Sequence, residues 1–589
     1  MAEKVVSPGV FTNEIDQSFL PAAIGDIGAA VIGPTVKGPA MVPTVVSSYS
    51  EFQEKFGDTF KSGSKYYSYL TSVTAQNYLK HSGKLTVVRI LDGDFSPASA
   101  DIMTSASAVI SDNAASPSFT LKTHGAGEIM NSTGSSLVGT STYPNNVIDS
   151  GSKDNLRWEI STQNASKGTF TLLVRRGDDT IKRKQILETW NNLSLDPNSN
   201  NYVSKMIGDQ AANVKGTGTD AYVEYSGSYV NKSSYVYVAN VTNTPDYLDE
   251  NGNRRVTAHG LSLPAIMSGS FTGGQDGTIT HPRNMYGDID QQTQGFNMTA
   301  AFGGAAGAYE TALDLLSNQD EYDVNMIVMP GICNNLSNHS QIIAKAFDVC
   351  ETRGDCFVVA DPVGYGNEIS TAVTQAESYD SNYGAMYYPW IQTPETSLGR
   401  NVWVPPSTVL PGVIAFNDKV AHPWFAPAGL NRGGIDTAIQ AERKLTHGNR
   451  DTLYESNLNP IATFPGQGVT VWGQKTLQKK ASALDRVNVR RLMIKLKKFI
   501  ASSSRFLVFE QNNSQTRRRF LNIVNPFLEQ VQSNSGLTTF KVVMDDTNNT
   551  PDVVDRNIMY GQIFVQPTRT AEFIVLDFTV QPTGATFPE

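Results

Sequence analysis

Hydrophobic positions alternate between strand-like and helix-like spacing in two separate parts of the 589-residue chain, one before residue 92 and one after about residue 300. The predicted elements are, in order, a strand at 29–36, helices at 49–56 and 66–81, a strand at 84–91, and then helices at 308–317, 340–353 and 368–378 that alternate with strands at 325–330, 356–360 and 385–391. Such alternation is typical of a largely parallel sheet with helices on its faces. We therefore expect one discontinuous α/β domain, formed by residues 22–91 and 300–474.

The segment between these two parts has a different composition. Residues 92 to about 288 are rich in Ser, Thr, Asn and Gly, and their strand-like runs, such as Gly168–Arg175 and Ser233–Val241, are short. A β-rich segment between the halves of an α/β domain is typical of an insertion. We expect two inserted β-rich domains, an outer one at residues 92–190 and a second at residues 191–299.

An amphipathic helix is predicted from Asp485 to Ile500. Winding at about 100° per residue separates its apolar side chains from its basic ones. The apolar arc consists of Val489, Leu492, Met493, Leu496, Phe499 and Ile500, and the basic positions are Arg486, Arg490, Arg491, Lys495, Lys497 and Lys498. A second helix is predicted to begin at Asn525–Pro526 and to end at Val531, followed by strands at 540–544 and 558–565. These elements predict a C-terminal α+β domain at residues 475–566.

Both ends of the chain have the pattern of extended strands. Lys4–Ile15 is interrupted by Pro8 and Gly9, and Glu572–Val580 alternates with one strongly apolar side. The apolar arm positions are Val5, Val6, Val10, Phe11 and Ile15 near the N-terminus and Phe573, Ile574, Val575, Leu576, Phe578 and Val580 near the C-terminus. Arms at 1–21 and 567–589 suit addition to a neighbour's sheet. The pattern alone favours the alternative that each strand closes a sheet of its own subunit.

Charge is distributed unevenly along the chain. The net charge is -9, yet the segment from Lys475 to Arg519 contains thirteen basic residues against two acidic ones, an excess of eleven. Such segregation indicates a charged partner for one surface, although a solvated helix face is the plain alternative. Aromatic residues for base stacking are nearly absent there, so an acidic protein surface is favoured over nucleic acid.

No motif predicts catalysis or a cofactor. Gly33–Gly38 lacks the spacing of a phosphate loop, and Gly303–Gly307 lacks the spacing of a dinucleotide fingerprint. The seven histidines show no paired metal spacing, and Cys333, Cys350 and Cys356 are expected to be small buried apolar residues in a reducing compartment. We expect no catalytic residue, no cofactor and no metal. A nucleotide-binding α/β enzyme is the alternative.

The sequence does not show the pattern of a signal peptide or of a membrane-spanning helix. The N-terminus lacks the apolar core of a signal peptide, and no run of about 18 apolar residues occurs. We expect a soluble protein made and kept inside a cell, without membrane insertion.

Several separated strings resemble contractile tail sheath proteins of bacteriophages. Val6–Phe11 resembles the sheath N-terminus, Val487–Leu492 resembles the first helix of the sheath C-terminal domain, and Phe540–Val580 resembles its terminal strands. Asp451–Ile461 and Gly468–Leu477 resemble the region that precedes that domain. The resemblance covers residues 1–91 and 300–589, whereas residues 92–288 carry little of it.

The resemblance implies a structural protein, not an enzyme, that stacks as six-subunit rings around a tail tube and contracts to drive the tube through the host envelope. It implies that the terminal arms join the C-terminal sheets of neighbouring subunits. It also implies that the C-terminal domain is innermost, and there we assign Arg486, Arg490, Arg491, Lys497 and Lys498 to the tube-facing surface.

The implied partners are further copies of the chain in a helical stack, a tail tube protein, and baseplate and tail terminator proteins, without direct contact to nucleic acid. The implied location is the tail sheath of a virion, after assembly in the host cytoplasm. Bacteriocin-type particles and related injection machines share the resemblance, so virus and bacteriocin both stay open, with a virus favoured by the large insertion.

Overall fold

The computed structural model describes residues 28–62, 65–91, 93–104, 117–132, 151–180, 182–242, 251, 263–277, 292–298 and 305–573. These residues form two compact units, one ending at Lys495 and the other beginning at Leu496. The predicted N-terminal arm lies outside the described residues. So does the C-terminal arm beyond Phe573.

The first α/β segment contains five strands and two helices. They are β1 (Gly28–Gly33), β2 (Thr44–Val46), α1 (Tyr49–Phe56), β3 (Thr59–Ser62), β4 (Lys65–Ser68), α2 (Leu70–Leu79) and β5 (Leu85–Arg89). Helix α1 begins where the Ser48 hydroxyl accepts a hydrogen bond from the Glu51 backbone N–H at 3.2 Å. The predicted helix at 66–81 is shorter in the structure, because residues 65–68 pair with β3 as a hairpin.

The insertion is built from short antiparallel strands. Its elements are β6 (Phe95–Met103), β7 (Pro117–Ala126), β8 (Leu156–Asn164), β9 (Thr169–Arg176), β10 (Ile186–Ser194), α3 (Val203–Ile207), β11 (Ala211–Lys215), β12 (Tyr222–Ser226), β13 (Val236–Val241), β14 (Ser268–Ser270), β15 (Gln275–Asp276), β16 (Gln292–Thr293) and β17 (Phe296–Asn297). Two four-stranded sheets have the orders β10-β9-β8-β14 and β13-β7-β6-β15.

The predicted division of the insertion at residue 190 is wrong. Strand β13 pairs with β7, and β14 pairs with β8, so each sheet contains strands from both predicted domains. Strand β10 runs across the predicted boundary. Local turn signals could not indicate this, because the pairings join strands that are distant in the sequence.

The second α/β segment completes the larger unit. Its elements are α4 (Ala305–Leu315), β18 (Val324–Cys333), α5 (Ser337–Arg353), β19 (Val358–Asp361), α6 (Ile369–Glu377), β20 (Gly384–Tyr388), β21 (Ile391–Glu395), β22 (Arg400–Val404), α7 (Pro406–Val420), β23 (Gln440–Ala441), α8 (His447–Glu455), β24 (Asn459–Phe464) and β25 (Gly468–Val471). Helix α7 has Pro406 in its first turn, where the missing N–H costs nothing.

One eight-stranded sheet joins the two α/β segments in the order β2-β5-β1-β18-β19-β20-β24-β25. Strand β1 is parallel to β5 on one side and to β18 on the other, and antiparallel pairs occur at the two edges. Every residue of β1 and β5 is buried, which is typical of strands covered on both faces.

The remaining elements are α9 (Val487–Ser504), α10 (Ser514–Ser533), β26 (Leu537–Val543), α11 (Pro551–Asp555) and β27 (Gln562–Pro567). The prediction that a helix begins at Asn525–Pro526 is wrong, because α10 begins eleven residues earlier, where the Asn513 side chain accepts from the N–H groups of Gln515 and Thr516. Pro526 lies inside α10, since the buried face formed by Phe520, Val524, Leu528 and Val531 continues past it.

A buried arginine connects the sheet to the insertion. Arg89, at the end of β5, is 1% exposed, and its Nη1 donates to the carbonyl oxygens of Gly38 at 2.7 Å and Ala126 at 2.6 Å. Its Nη2 lies 3.9 Å from Oδ1 of Asp276. Gly127 has φ +110°, and a Cβ there would lie 2.1 Å from the same Asp276 oxygen. The close approach of insertion and sheet therefore depends on this guanidinium.

A buried carboxylate holds the start of α7. Asp361, at the end of β19, accepts hydrogen bonds from the backbone N–H of Ser407 at 2.9 Å and from the Ser407 hydroxyl. Burial raises the pKa of Asp361 to about 7, even though the Ser407 hydrogen bonds lower it. The carboxyl group therefore titrates near neutral pH.

We expect Arg89→Met to destabilise the larger unit by about 3–5 kcal/mol, because it leaves the Asp276 carboxylate and two carbonyl groups buried without their cation. Urea unfolding of the purified chain measures this. Lys80→Met is the matched control, since Lys80 and Asp436 are both exposed and lie 3.9 Å apart, and it should cost less than about 1 kcal/mol. Equal unfolding midpoints for the two variants would contradict the role of Arg89.

We expect Asp361→Asn to change how stability depends on pH. Because the folded pKa of Asp361 is raised to about 7, the wild type loses stability as pH rises from about 4 to about 7, by up to about 3–4 kcal/mol. The asparagine variant cannot ionise. Its unfolding free energy should therefore rise relative to that of the wild type as the pH increases from about 4 to about 7. Urea titrations at several pH values measure this. Parallel profiles for Asp361→Asn and the wild type would refute the prediction.

Candidate assembly surface

The smaller unit contains a two-stranded antiparallel ribbon. In its register Phe540 lies opposite Val565, and Val542 lies opposite Ile563. Among the residues that the structure describes, neither β26 nor β27 pairs with a third strand. Within the described part of the chain, both outer edges of the ribbon therefore carry backbone groups that another strand can pair with, except the Thr538 carbonyl, which accepts from Gln532 Nε2 at 2.9 Å.

The same unit exposes large apolar side chains. They include Phe506, Val508, Phe509, Ile558, Tyr560, Phe564 and Phe573. Phe564 lies on β27 and is 55% exposed, opposite Lys541 of β26. An isolated two-stranded ribbon is marginally stable in water, and additional strands or packing normally stabilise it. The open edges and the exposed apolar side chains together are typical of a surface that accepts further chain.

Of the predicted apolar arm positions, the described residues include only Phe573. Val5, Val6, Val10, Phe11 and Ile15 lie outside the described residues, as do Ile574, Val575, Leu576, Phe578 and Val580. Phe573 is described, and it is 78% exposed and not part of a strand. Strand donation by the two arms stays a prediction.

The expectation that Arg490 and Arg491 face outward is wrong. Arg490 is 3% exposed, and its guanidinium lies 4.1 Å from the centre of the Tyr383 ring and donates to the Asn382 side chain. Arg491 is 8% exposed, and its two Nη groups pair with the carboxylate of Asp418, with Nη1 at 2.8 Å from Oδ1.

The physical reason is that the first turns of α9 are covered on all sides. Residues 487–492 are all buried, including the two arginines. A helical wheel places basic residues on the solvent side by default, and it cannot show that aromatic, amide and carboxylate partners lie on neighbouring elements. Arg490 and Arg491 therefore act as anchors for the start of α9.

The other predicted basic positions are more accessible. Arg486 is partly exposed, and its Nη1 lies 3.3 Å from Oδ1 of Asp485. Lys497 is exposed, and Lys498 is half-buried. On α10, Arg517 is buried and donates to Asp546 at 2.6 Å, whereas Arg518 and Arg519 are exposed. The exposed pair on α10 was missed because no helix was predicted there.

We searched the described residues for a group of side chains that could hold a metal ion. They contain no group of three or more His, Cys, Asp or Glu side chains arranged to hold a metal ion. His339 accepts from the Cys333 backbone N–H at 3.2 Å, and burial lowers the pKa of His339 to about 4. It is therefore a neutral, buried imidazole. Within the part of the chain that is described, no helix is long and apolar enough to cross a membrane.

A cleft of about 740 Å³ separates α1 from the insertion. Charged groups on its wall are paired: Lys37 lies 3.7 Å from Asp154, and Lys55 donates to Glu51 at 2.8 Å. Glu54, on the same wall, accepts from the hydroxyl of Tyr235 at 2.5 Å. The Lys37–Asp154 pair and the Tyr235–Glu54 hydrogen bond join the two walls of the cleft, whereas Lys55 and Glu51 pair within α1.

Comparison with known proteins identifies two domains. Residues 305–477 match the family model of the phage tail sheath protein central domain, and residues 479–581 match that of the phage tail sheath C-terminal domain. The tail sheath protein of Vibrio phage KVP40 is 32% identical over 49% of this chain and 47% of its own length. The tail sheath protein of Enterobacteria phage T4 is 32% identical over 48% of this chain and 46% of its own length. The chain thus spans about half the length of the curated relatives it matches.

A solved sheath tail protein from Listeria innocua superposes with a TM-score of 0.51 at 11% identity, covering 89% of this chain and 90% of that one. This likeness concerns the fold alone, which in both is a mixed α/β architecture of several sheets and helices. The matched relatives are structural tail sheath proteins rather than enzymes. The resemblance inferred from the sequence is therefore confirmed.

Proposed function

Since residues 305–477 and 479–581 carry the central and C-terminal domains of phage tail sheath proteins, we propose that this chain is the subunit of a contractile tail sheath. Its copies polymerise as stacked six-membered rings around a tail tube, and their contraction drives the tube through the host envelope. The sheath is part of the virion and assembles in the host cytoplasm, with a baseplate at one end and a terminator protein at the other.

The observation that carries the proposal is the open ribbon of β26 and β27. Its two outer edges can each accept one strand, and the chain has two strand-like arms, at residues 1–21 and 567–589. One arm from each of two neighbours would convert the ribbon into a four-stranded sheet. Every copy then donates two strands and accepts two, so the linkage propagates through the lattice without a separate connector.

The energy of this linkage follows from ordinary strand pairing. Each added backbone hydrogen bond contributes about 0.5–1.5 kcal/mol net, and each large apolar side chain that becomes buried adds about 1.5–3 kcal/mol. Phe573, 78% exposed in the single chain, is a side chain of this type. A strand held by several such contacts stays attached while the bodies of the subunits move.

Contraction requires no nucleotide in this scheme. The extended sheath is a kinetically trapped state, and the bodies gain buried contact when they rearrange. The change in direction between each arm and the body takes place where the arm joins β1 or β27, while the strands themselves stay in place. The ion pair between Lys37 and Asp154, which joins the first α/β segment to the insertion, supports a body that moves as a rigid unit.

The contact with the tube involves the accessible part of the basic helix. Lys497 and Lys498, and at the other end Arg486, are the members of the predicted tube-facing set that retain exposure. Exposed ion pairs are individually weak and are screened by salt. Contacts of this kind hold a sheath on an acidic tube surface and still release the tube when it slides.

Deleting residues 1–16 or 570–589 should leave a folded monomer that no longer forms tubes, because each deletion removes a donated strand. Negative-stain microscopy of the purified variants measures assembly. Urea unfolding is the control, and the transition of the larger unit should keep its wild-type midpoint. If either variant forms regular tubes that contract as the wild type does, the linkage through the arms is refuted.

Lys497→Glu together with Lys498→Glu should impair extended assembly on the tube and spare polymers that form without a tube, because the reversal affects only the contact with an acidic surface. Co-assembly with purified tube protein at low and high salt measures this, and the wild-type contact should weaken as salt rises. The matched control is Lys55→Glu on α1. Equal damage to both kinds of assembly would place these lysines between sheath subunits instead.

A further inference from the structure

Two cysteine side chains meet where α5 passes into β19. Cys350 lies in the last turn of α5, and Cys356 lies two residues before β19 begins. Their Sγ atoms are 2.8 Å apart, and both side chains are fully buried. A disulfide bond has an S–S length of about 2.05 Å. The two thiols therefore lie within a small displacement of bonding distance.

The turn between the two cysteines is fixed by other contacts. Gly354 adopts the left-handed conformation with φ 69°, and its N–H donates to the Cys350 carbonyl at 2.9 Å. Arg353 donates to Asp355 at 2.8 Å and to the carbonyl of Tyr322 at 2.9 Å. The backbone between the two cysteines is thus held in place, so the approach of the sulfur atoms is a property of the fold.

We propose that Cys350 and Cys356 form an oxidisable dithiol, which hydrogen peroxide converts to an intramolecular disulfide after the protein leaves a reducing compartment. In the first step one thiolate attacks a peroxide oxygen, the O–O bond breaks, and a sulfenic acid and one water form. In the second step the other sulfur attacks that sulfenic sulfur, the S–S bond forms, and the S–O bond breaks. The oxygen leaves as a second water with the remaining thiol proton.

The reaction is slow in the folded protein. Burial raises the pKa of the Cys350 thiol well above its usual range, and contact with Cys356 raises it further, so little thiolate exists at neutral pH. A rate that rises with pH follows from this. The dithiol persists while a reducing pool surrounds it, and the disulfide accumulates afterwards. The bond then ties the end of α5 to the strand beside it and constrains the unfolded chain.

The experiment uses the full chain, reduced and then freed of reductant, with hydrogen peroxide at pH 7 and pH 9. After blocking of residual thiols, peptide mass spectrometry should find Cys350 linked to Cys356 with the loss of two hydrogens, faster at pH 9. The thermal midpoint should rise by about 2–4 °C, and dithiothreitol should reverse both changes. Cys333→Ala, which alters the equally buried cysteine on β18, should behave as the wild type does. Cys350→Ala and Cys356→Ala should abolish the shift.

The mass spectrum of the wild type decides the matter even if a variant fails to fold. Blocked thiols at both positions after prolonged peroxide exposure, or sulfinic acid at either without a crosslink, would overturn the proposal. A disulfide that lowers the thermal midpoint would overturn the stabilising role.

Discussion

The parallel pairing of β1 with β18 is the contact on which the larger unit depends. It joins residues 28–31 to residues 324–328, with the whole insertion between them. Long insertions cost a folded domain little, because the entropy of closing a loop grows only with the logarithm of its length. Once the two strands pair, β5 on one side and β19 on the other extend the sheet in both directions. Arg89 then fixes the insertion to the carboxyl end of β5.

The sequence predicted the α/β segments well for a physical reason. Strands covered on both faces are continuous apolar runs, and the helices between them have clear amphipathic spacing, so Tyr49–Phe56 was predicted to the residue. The insertion was divided wrongly because antiparallel pairings such as β7 with β13 leave no local signal. Helix α10 was shortened because Pro526 was taken as a start, whereas the cap at Asn513 and a continuous buried face determine its bounds.

The candidate surface was predicted less completely than the fold. Strand-like termini can be recognised from alternation, but if such a strand is donated, its partner lies on another molecule, and no single-chain pattern identifies it. What the structure adds is a candidate acceptor: a ribbon whose described strands each have one neighbour, with Phe564 exposed on β27. Burial of Arg490 and Arg491 could not be inferred either, because Tyr383 and Asp418 are distant in sequence and become neighbours only through the fold.

These buried arginines also change the meaning of the charge excess. Of the thirteen basic residues counted between Lys475 and Arg519, Arg491 is neutralised by Asp418 and Arg517 by Asp546, and both acids lie outside the counted segment. The Nζ of Lys475 donates a hydrogen bond to the Tyr454 carbonyl oxygen at 2.6 Å. The charge left for a partner is therefore smaller than composition indicates, and it resides on exposed side chains such as Lys497, Arg518 and Arg519. Each screened ionic contact contributes little free energy, so the strength of binding depends on how many such contacts form. Under the proposed function, many weak identical contacts would hold the sheath on the tube without any single one preventing the tube from sliding.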